Sequence, residues 1–252
     1  LQHDRQLKLI AGRLEKKIKT ELENMLANDR EKYEAFFKNF GLQLKYGMYA
    51  DYGAHKDTLK DLVLFASSNG EHPTTLAEYV SRMKEDQKAI YYACGESAAR
   101  IALLPQAEAV RDKGYEILYL TDNVDEFALK MLMQYDEKPF QNVSADDLDL
   151  RSEEEKKDAE KQAADNKDLL NFLTEALDGK VKAVILSNRL KSHPVCLSSE
   201  GAISLEMEKV LNAMPSGDKV QAQRVLELNA AHPVFQKLTK LFAEDKDTLK
   251  EY

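Results

Sequence analysis

The side chains best suited to nucleophilic chemistry are two cysteines, Cys94 and Cys196, and five histidines that could act as bases, His3, His55, His72, His193 and His232. Cys94 opens the string Cys94-Gly95-Glu96-Ser97 at the end of an apolar run, where nucleophiles often sit. A thiol enzyme needs a base within hydrogen-bond reach. His72 and His193 are the candidates, but their spacing from Cys94 brings neither to it. A cysteine closing an apolar strand is more often inert packing. In His193-Pro194-Val195-Cys196 the extended chain splays the imidazole and thiol apart, so a turn leading into a strand is the simpler reading. No pair of histidines has the helical spacing of a metal site. There is neither a G-x-x-x-x-G-K-S/T nor a G-x-G-x-x-G phosphate loop. What remains is a binding chemistry. Phe127, Met131 and Met133 fall on one predicted helix, and Met207 and Met214 on another. Methionine is flexible and polarizable and suits surfaces that accept many shapes, although it also fills cores.

The elements that position these residues follow from periodicity. Residues 4–27 read as an amphipathic helix with the stripe Leu7, Ile10, Leu14, Ile18, Leu22 and Met25. Residues 31–40 form a second helix, whose Tyr33, Phe36, Phe37 and Phe40 read as packing against the first. Residues 42–53 are ambiguous, helical at their start. Residues 57–67 are expected as a short helix, and 71–73 as loop. A helix over 75–84 leads into a buried strand at 89–94, with new helix starting at Pro105 and a stop at Lys113-Gly114. A second strand at 115–120 is followed by a helix over 124–135 capped by Thr121-Asp122-Asn123, and a third strand at 140–143. Strand and helix alternate, which predicts a small, mostly parallel αβα sandwich.

From 145 to 168 the composition turns to Asp, Glu and Lys without aromatics, marking a boundary; Ser152 to Glu155 has capping-box spacing. A second, mixed α/β domain follows. It has helices at 169–177, 202–214 and 233–242, and strands at 181–186, 195–197 and 224–228. Residues 245–252 show no obvious finish. The fold class is α/β: a helical coil segment, a small αβα sandwich, and the second domain.

The totals bound the function. The chain has 252 residues, 43% hydrophobic and 32% charged, with a formal charge of -8. That acidic balance disfavours nucleic acid as a partner, since phosphate binding needs a basic patch. No apolar run approaches the ~20 residues that span a bilayer, so no membrane role is expected. Two distant cysteines make neither a disulfide scaffold nor a zinc site, and a reducing cytoplasm is the expected location. The start Leu1-Gln2-His3 lacks an initiator Met, as an excised fragment would.

The literal string from Thr75 to Ser97, TLAEYVSRMKEDQKAIYYACGES, resembles a signature of the middle domain of the heat-shock protein 90 chaperone family in its bacterial form. LKDLVLFASS (Leu59 to Ser68) and GYEILYLTDNVDEFALKMLMQYDEKPFQNV (Gly114 to Val143) are similar to further blocks of that domain. VKAVILSNRLKSHPVCLSSEGAISLEMEKVL (Val181 to Leu211) and LELNAAHP (Leu226 to Pro233) resemble the C-terminal domain. The resemblance implies that residues 1–148 are the C-terminal part of a middle domain, helices over 1–68 and the αβα unit over 75–148. It makes 149–252 a C-terminal domain ending before the dimerisation helices. It implies an ATP-dependent homodimer whose partners are unfolded or partly folded client proteins. ATP and Mg belong to an N-terminal domain outside this stretch, so the fragment itself is expected to hold no cofactor and no metal and to hydrolyse nothing. Gln2 would be the remnant of the loop that assists ATP hydrolysis, whose Arg lies just before residue 1. Client contacts would fall on Glu126, Phe127, Lys130, Ile203 and Met207. Phe127 stands where some bacterial members carry Trp, Lys130 replaces a polar neutral residue, and Ala230 replaces a usual Pro. A fragment of this kind is expected to dimerise weakly or not at all. The competing expectation is a connector or dimerisation scaffold without client binding; a cysteine enzyme is the remaining one.

Overall fold

The computed structural model of the chain describes residues 5–215 and 219–251, so Gln2 lies outside the described residues. Helix α1 (Arg5–Asn28) and helix α2 (Arg30–Gly53) form a coil joined at Asp29, whose side chain accepts from the Lys32 N–H at 3.2 Å. The apolar stripe of α1 is covered only from Leu22 onward; Leu7, Ile10, Leu14 and Ile18 are each about half exposed. Tyr33, Phe36 and Phe37 of α2 pack against α1 as expected, whereas Phe40 is 54% exposed and meets the Phe36 ring. Tyr33 is buried among Leu22, Met25 and Leu26, and the Phe36 and Phe40 rings stack at 5.2 Å. The ambiguous stretch proves to be a continuation of α2, which leaves helical geometry at Ala50. Asp51 and Tyr52 take left-handed φ of 49° and 55° before Gly53 at 77°.

The helix expected at 57–67 is only one turn, α3 (Lys56–Leu59), followed by strand β1 (Phe65–Ser67). The reason lies in where four consecutive apolar side chains go. Leu62 and Leu64 bury against α1 and α2, while Val63 and Phe65 enter the core under the sheet. That is a period of two, which only extended chain satisfies. The expected loop at 71–73 is likewise strand β2 (Gly70–Thr74), paired antiparallel with β1 at the sheet edge, where Pro73 is tolerated.

Helix α4 (Leu76–Ser81) begins with a capping box between Thr75 and Glu78. Strand β3 (Ile90–Cys94), short helix α5 (Ala98–Ile101), a 3-10 turn at Pro105–Ala107 and helix α6 (Glu108–Asp112) follow. Strand β4 (Ile117–Leu120) precedes helix α7 (Asp125–Leu132). No side chain caps α7 at Val124, against the expectation for Thr121-Asp122-Asn123. Instead the Asp125 carboxylate reaches back to the Asp122 N–H at 3.1 Å. The helix stops at Leu132, short of Tyr135, because Gln134–Tyr135 is strand β5 in a hairpin with β6 (Lys138–Asn142). The six strands run β2-β1-β4-β3-β6-β5; β4, β3 and β6 are parallel, but β1, β2 and β5 join antiparallel, so the sheet is mixed rather than mostly parallel, because the hairpins β1-β2 and β5-β6 add its edges.

Helix α8 (Glu153–Asp165) starts with the Ser152–Glu155 capping box and buries no residue. Helix α9 (Lys167–Ala176), strand β7 (Ala183–Leu186), strand β8 (Val195–Glu200), helix α10 (Leu205–Ala213), strand β9 (Gln223–Leu228) and helix α11 (Pro233–Glu244) come next. The smaller sheet is ordered β7-β9-β8. The segment expected to end without finish forms helix α12 (Lys246–Glu251), held because Leu249 joins Phe235 and Leu238 in the core. The chain is thus mixed α/β, with a six-stranded and a three-stranded sheet.

Candidate functional site

The carboxyl ends of the parallel strands β3 and β4 open into a narrow cleft, the usual location of a site in a parallel sheet. One wall is the first turn of α7, with Glu126 and Phe127; the other is α10 from the smaller unit, with Glu206 and Met207. Phe127 and Met207, distant in sequence, therefore line one surface, each half-buried. Phe127 also meets the Tyr49 ring edge-on, with centroids 5.6 Å apart. Lys130 is exposed, and its Nζ donates to the Ala202 carbonyl at 2.6 Å rather than into the cleft. Ile203 is half-buried and precedes α10 instead of lying on it. The helix starts later than expected because Ser204 caps it: its Oγ accepts the Met207 N–H at 3.0 Å.

Glu126 behaves differently from a surface contact. It is 4% exposed. Its carboxylate accepts from the Tyr92 hydroxyl at 3.1 Å, the Asn142 amide at 3.0 Å and the Ser204 hydroxyl at 2.5 Å. The group expected to touch a ligand is thus turned inward, and it positions the cap of α10 and, through it, Met207.

The thiols lack the setting of nucleophiles. Burial, reinforced by the Glu126 carboxylate, holds the Cys94 thiol well above its ordinary value. Burial and the Glu227 charge push Cys196 up to about 12. The histidines proposed as bases have carboxylate neighbours of their own. Nδ1 of His72 lies 3.5 Å from Glu34, and Nδ1 of His193 lies 2.7 Å from Glu108. Among the described residues no group of three or more His, Cys, Asp and Glu side chains is arranged to hold a metal ion. No helix among them is long and apolar enough to cross a membrane.

Comparison with known proteins decides the family. The model of the Hsp90 protein family matches residues 1–252. The chain belongs to the Hsp90 family. It is 57% identical over its whole length to the chaperone protein HtpG of Clostridium acetobutylicum and 56% identical to that of Bacillus subtilis. It is also 57% identical to the chaperone protein HtpG of Clostridium perfringens. The chain covers all of its own length but 40% of each of these relatives.

Two further groups in this Hsp90 chain join the sheet units, and neither stood out in the sequence. Glu108, at the start of α6, accepts the backbone N–H groups of Lys191 at 2.6 Å and Ser192 at 3.2 Å, besides the Ser192 hydroxyl and the His193 ring. Burial works against its charge, but these hydrogen bonds prevail and hold the carboxyl down at about 2. Arg189 is 1% exposed and pairs with the equally enclosed Glu227, Nε to Oε2 at 3.1 Å. Its guanidinium also donates to the carbonyl of Val143, the residue just past the end of β6, at 2.6 Å. Only an Arg at the end of an apolar strand pattern (VILSNR) hinted at this, and the pattern names no partner.

Proposed function

We propose that this Hsp90 chain is the client-binding and inter-domain portion of an ATP-dependent homodimeric chaperone of the cytoplasm. In this reading residues 1–148 are the later part of the middle domain and 149–252 belong to the C-terminal domain. The observation that carries it is the cleft that Phe127 of α7 and Met207 of α10, both partly buried, line together amid polar side chains. The cleft itself has room for only about 30 Å³, so in this reading the Phe127 ring and Met207 thioether at its mouth offer weak, dispersed apolar contacts rather than a pocket. Ile203 and the stem of Lys130 extend the surface, and Glu126 keeps α10 in place. Contacts of this strength suit a partner that must later be released.

The cleft does not fit ATP. Asp122, Glu126 and Glu206 line it, and carboxylates repel phosphates. ATP and Mg therefore enter this proposal only through the remaining length of the relatives' chains, as do nucleotide-driven clamp closure and stable dimerisation.

A scaffold role is the second reading, favoured by the three inward-turned groups Glu108, Glu126 and Arg189 that tie the sheet units together. Fluorescence anisotropy of a labelled, permanently unfolded protein separates the two. Saturable binding that Phe127→Ala plus Met207→Ala weakens about tenfold, ~1.4 kcal/mol, supports client recognition at the cleft. Saturable binding that the double substitution leaves unchanged removes the cleft from that role, and no binding at all favours the scaffold.

A further inference from the structure

Two side chains of α7, one turn apart, hold the segment that leads into α10. Glu126 accepts from the Ser204 hydroxyl, and Lys130, four residues on, donates from Nζ to the Ala202 carbonyl at 2.6 Å. The two contacts differ in access: Glu126 is buried and Lys130 is exposed. Lys191 also spans the two sheet units, but its ammonium lies 3.8 Å from the Asp112 carboxylate, and both side chains are exposed. The Lys130 bond is therefore the short, charge-assisted and accessible one, and it depends on the ammonium.

Lys130 also lines a cavity of about 330 Å³ beside α7. Leu129, Met133 and Phe140 give this cavity apolar walls, and Gly201, next to Ala202, lines it as well. Lys130 and Asp147 are the charged residues among the described ones that line it. With the Lys130 charge removed, Asp147 is the charge that remains. The cavity then suits an uncharged group on Nζ and opposes an anionic one.

We propose that Lys130 is a lysine acylation site for a short, uncharged acyl thioester, and that its modification loosens α10 from α7. The ammonium first gives a proton to water. The free Nζ attacks the thioester carbonyl, the N–C bond forms, the C–S bond breaks, and the thiolate leaves. The amide product is neutral and keeps a single N–H where the ammonium had three. A neutral donor is roughly half as strong as a charged one, so the hold on the Ala202 carbonyl weakens. The acyl group meanwhile gains contact with Leu129, Met133 and Phe140. Neither the site nor its effect requires a client.

The test incubates the 252-residue chain with acetyl coenzyme A or succinyl coenzyme A. Mass spectrometry of a digest reads acylation at Lys130 and at Lys38, an exposed lysine of α2. With the acetyl donor Lys130 is expected to react about threefold faster than Lys38, because the cavity holds the acyl group beside Nζ. With the succinyl donor that ratio is expected to fall to about one or below, since Asp147 opposes the new carboxylate. Hydrogen exchange reads the consequence. The amides of residues 204–208 exchange about threefold faster in the acetylated chain and in Lys130→Gln, with β3 unchanged as the internal reference. Lys130→Arg, whose guanidinium still donates, keeps the original rate. Equal acetylation of Lys130 and Lys38 overturns the site. The same Lys130 to Lys38 ratio with both donors overturns the preference for an uncharged acyl group. Unchanged exchange at 204–208 in both the acetylated chain and Lys130→Gln overturns the loosening of α10.

Discussion

Removing the Glu126 side chain tests whether this residue positions α10 or merely lies beside it. Glu126→Ala leaves three buried donors without an acceptor: the Tyr92 hydroxyl, the Asn142 amide and the Ser204 hydroxyl, on residues 4%, 8% and 6% exposed. Each unsatisfied group costs about 1–3 kcal/mol, so the three together cost about 5 kcal/mol. Against this, no lysine, arginine or histidine among the described residues forms an ion pair with Glu126. Deleting an unpaired buried carboxylate returns part of its desolvation cost, about 2 kcal/mol. The expected net loss is about 3 kcal/mol, read from urea unfolding followed by circular dichroism at neutral pH. Ser204→Ala alone removes a helix cap as well as a hydrogen bond and costs about 1–2 kcal/mol. The double-mutant cycle between the two should show a coupling of about 1–2 kcal/mol, because each deletion removes the same bond. In the anisotropy assay Glu126→Ala weakens client binding only as far as α10 loosens, and Glu126→Gln, which keeps an acceptor, falls between. A loss below about 1 kcal/mol together with zero coupling would refute the argument. Glu126 would then have to be a contact residue after all.

Three more expectations follow from the buried groups. Glu108 is held at about 2 against an ordinary 4.5, so the folded protein binds fewer protons there than the unfolded one. Its contribution is complete above the unfolded value and is lost as pH falls from about 4.5 through 2; after solvent screening it is about 1–2 kcal/mol, and Glu108→Gln should flatten that part of the stability–pH curve. Arg189→Met leaves the Glu227 carboxylate, 0% exposed, without its cation and should cost about 3–5 kcal/mol in urea unfolding, while adding Glu227→Leu should recover most of the loss. Iodoacetamide should label native Cys94 and Cys196 more slowly than a free cysteine at every pH below the unfolding range, since burial raises both thiols; labelling at the free rate would return a thiol mechanism to consideration.

The legible parts of the fold were those with a local cause. The strands at 90–94 and 117–120, the long α1 and the capping box at Ser152 are written in short-range patterns of apolar spacing and side-chain hydrogen bonding. Residues 62–65 misled because four apolar side chains in a row fit a helix as well as a strand. Which it is depends on two separate cores that the run must fill from opposite sides. The end of α7 misled because the hairpin of β5 and β6 claims Gln134 and Tyr135 for the sheet, a demand made by a partner strand.

The candidate site divides in the same way. Long strings in the order of Hsp90 name the family without any fold, and residue type alone marks Phe127 and Met207 as side chains of the right kind. Only the tertiary structure put those two side chains on one cleft, turned Glu126 inward onto Ser204, and set Tyr49 edge-on to Phe127. Side-chain type and local period are properties of neighbouring residues, and a linear chain carries them openly. Burial, partnership and shared surface depend on which distant segments pack together, and those are settled by the apolar area and hydrogen bonds of the whole fold.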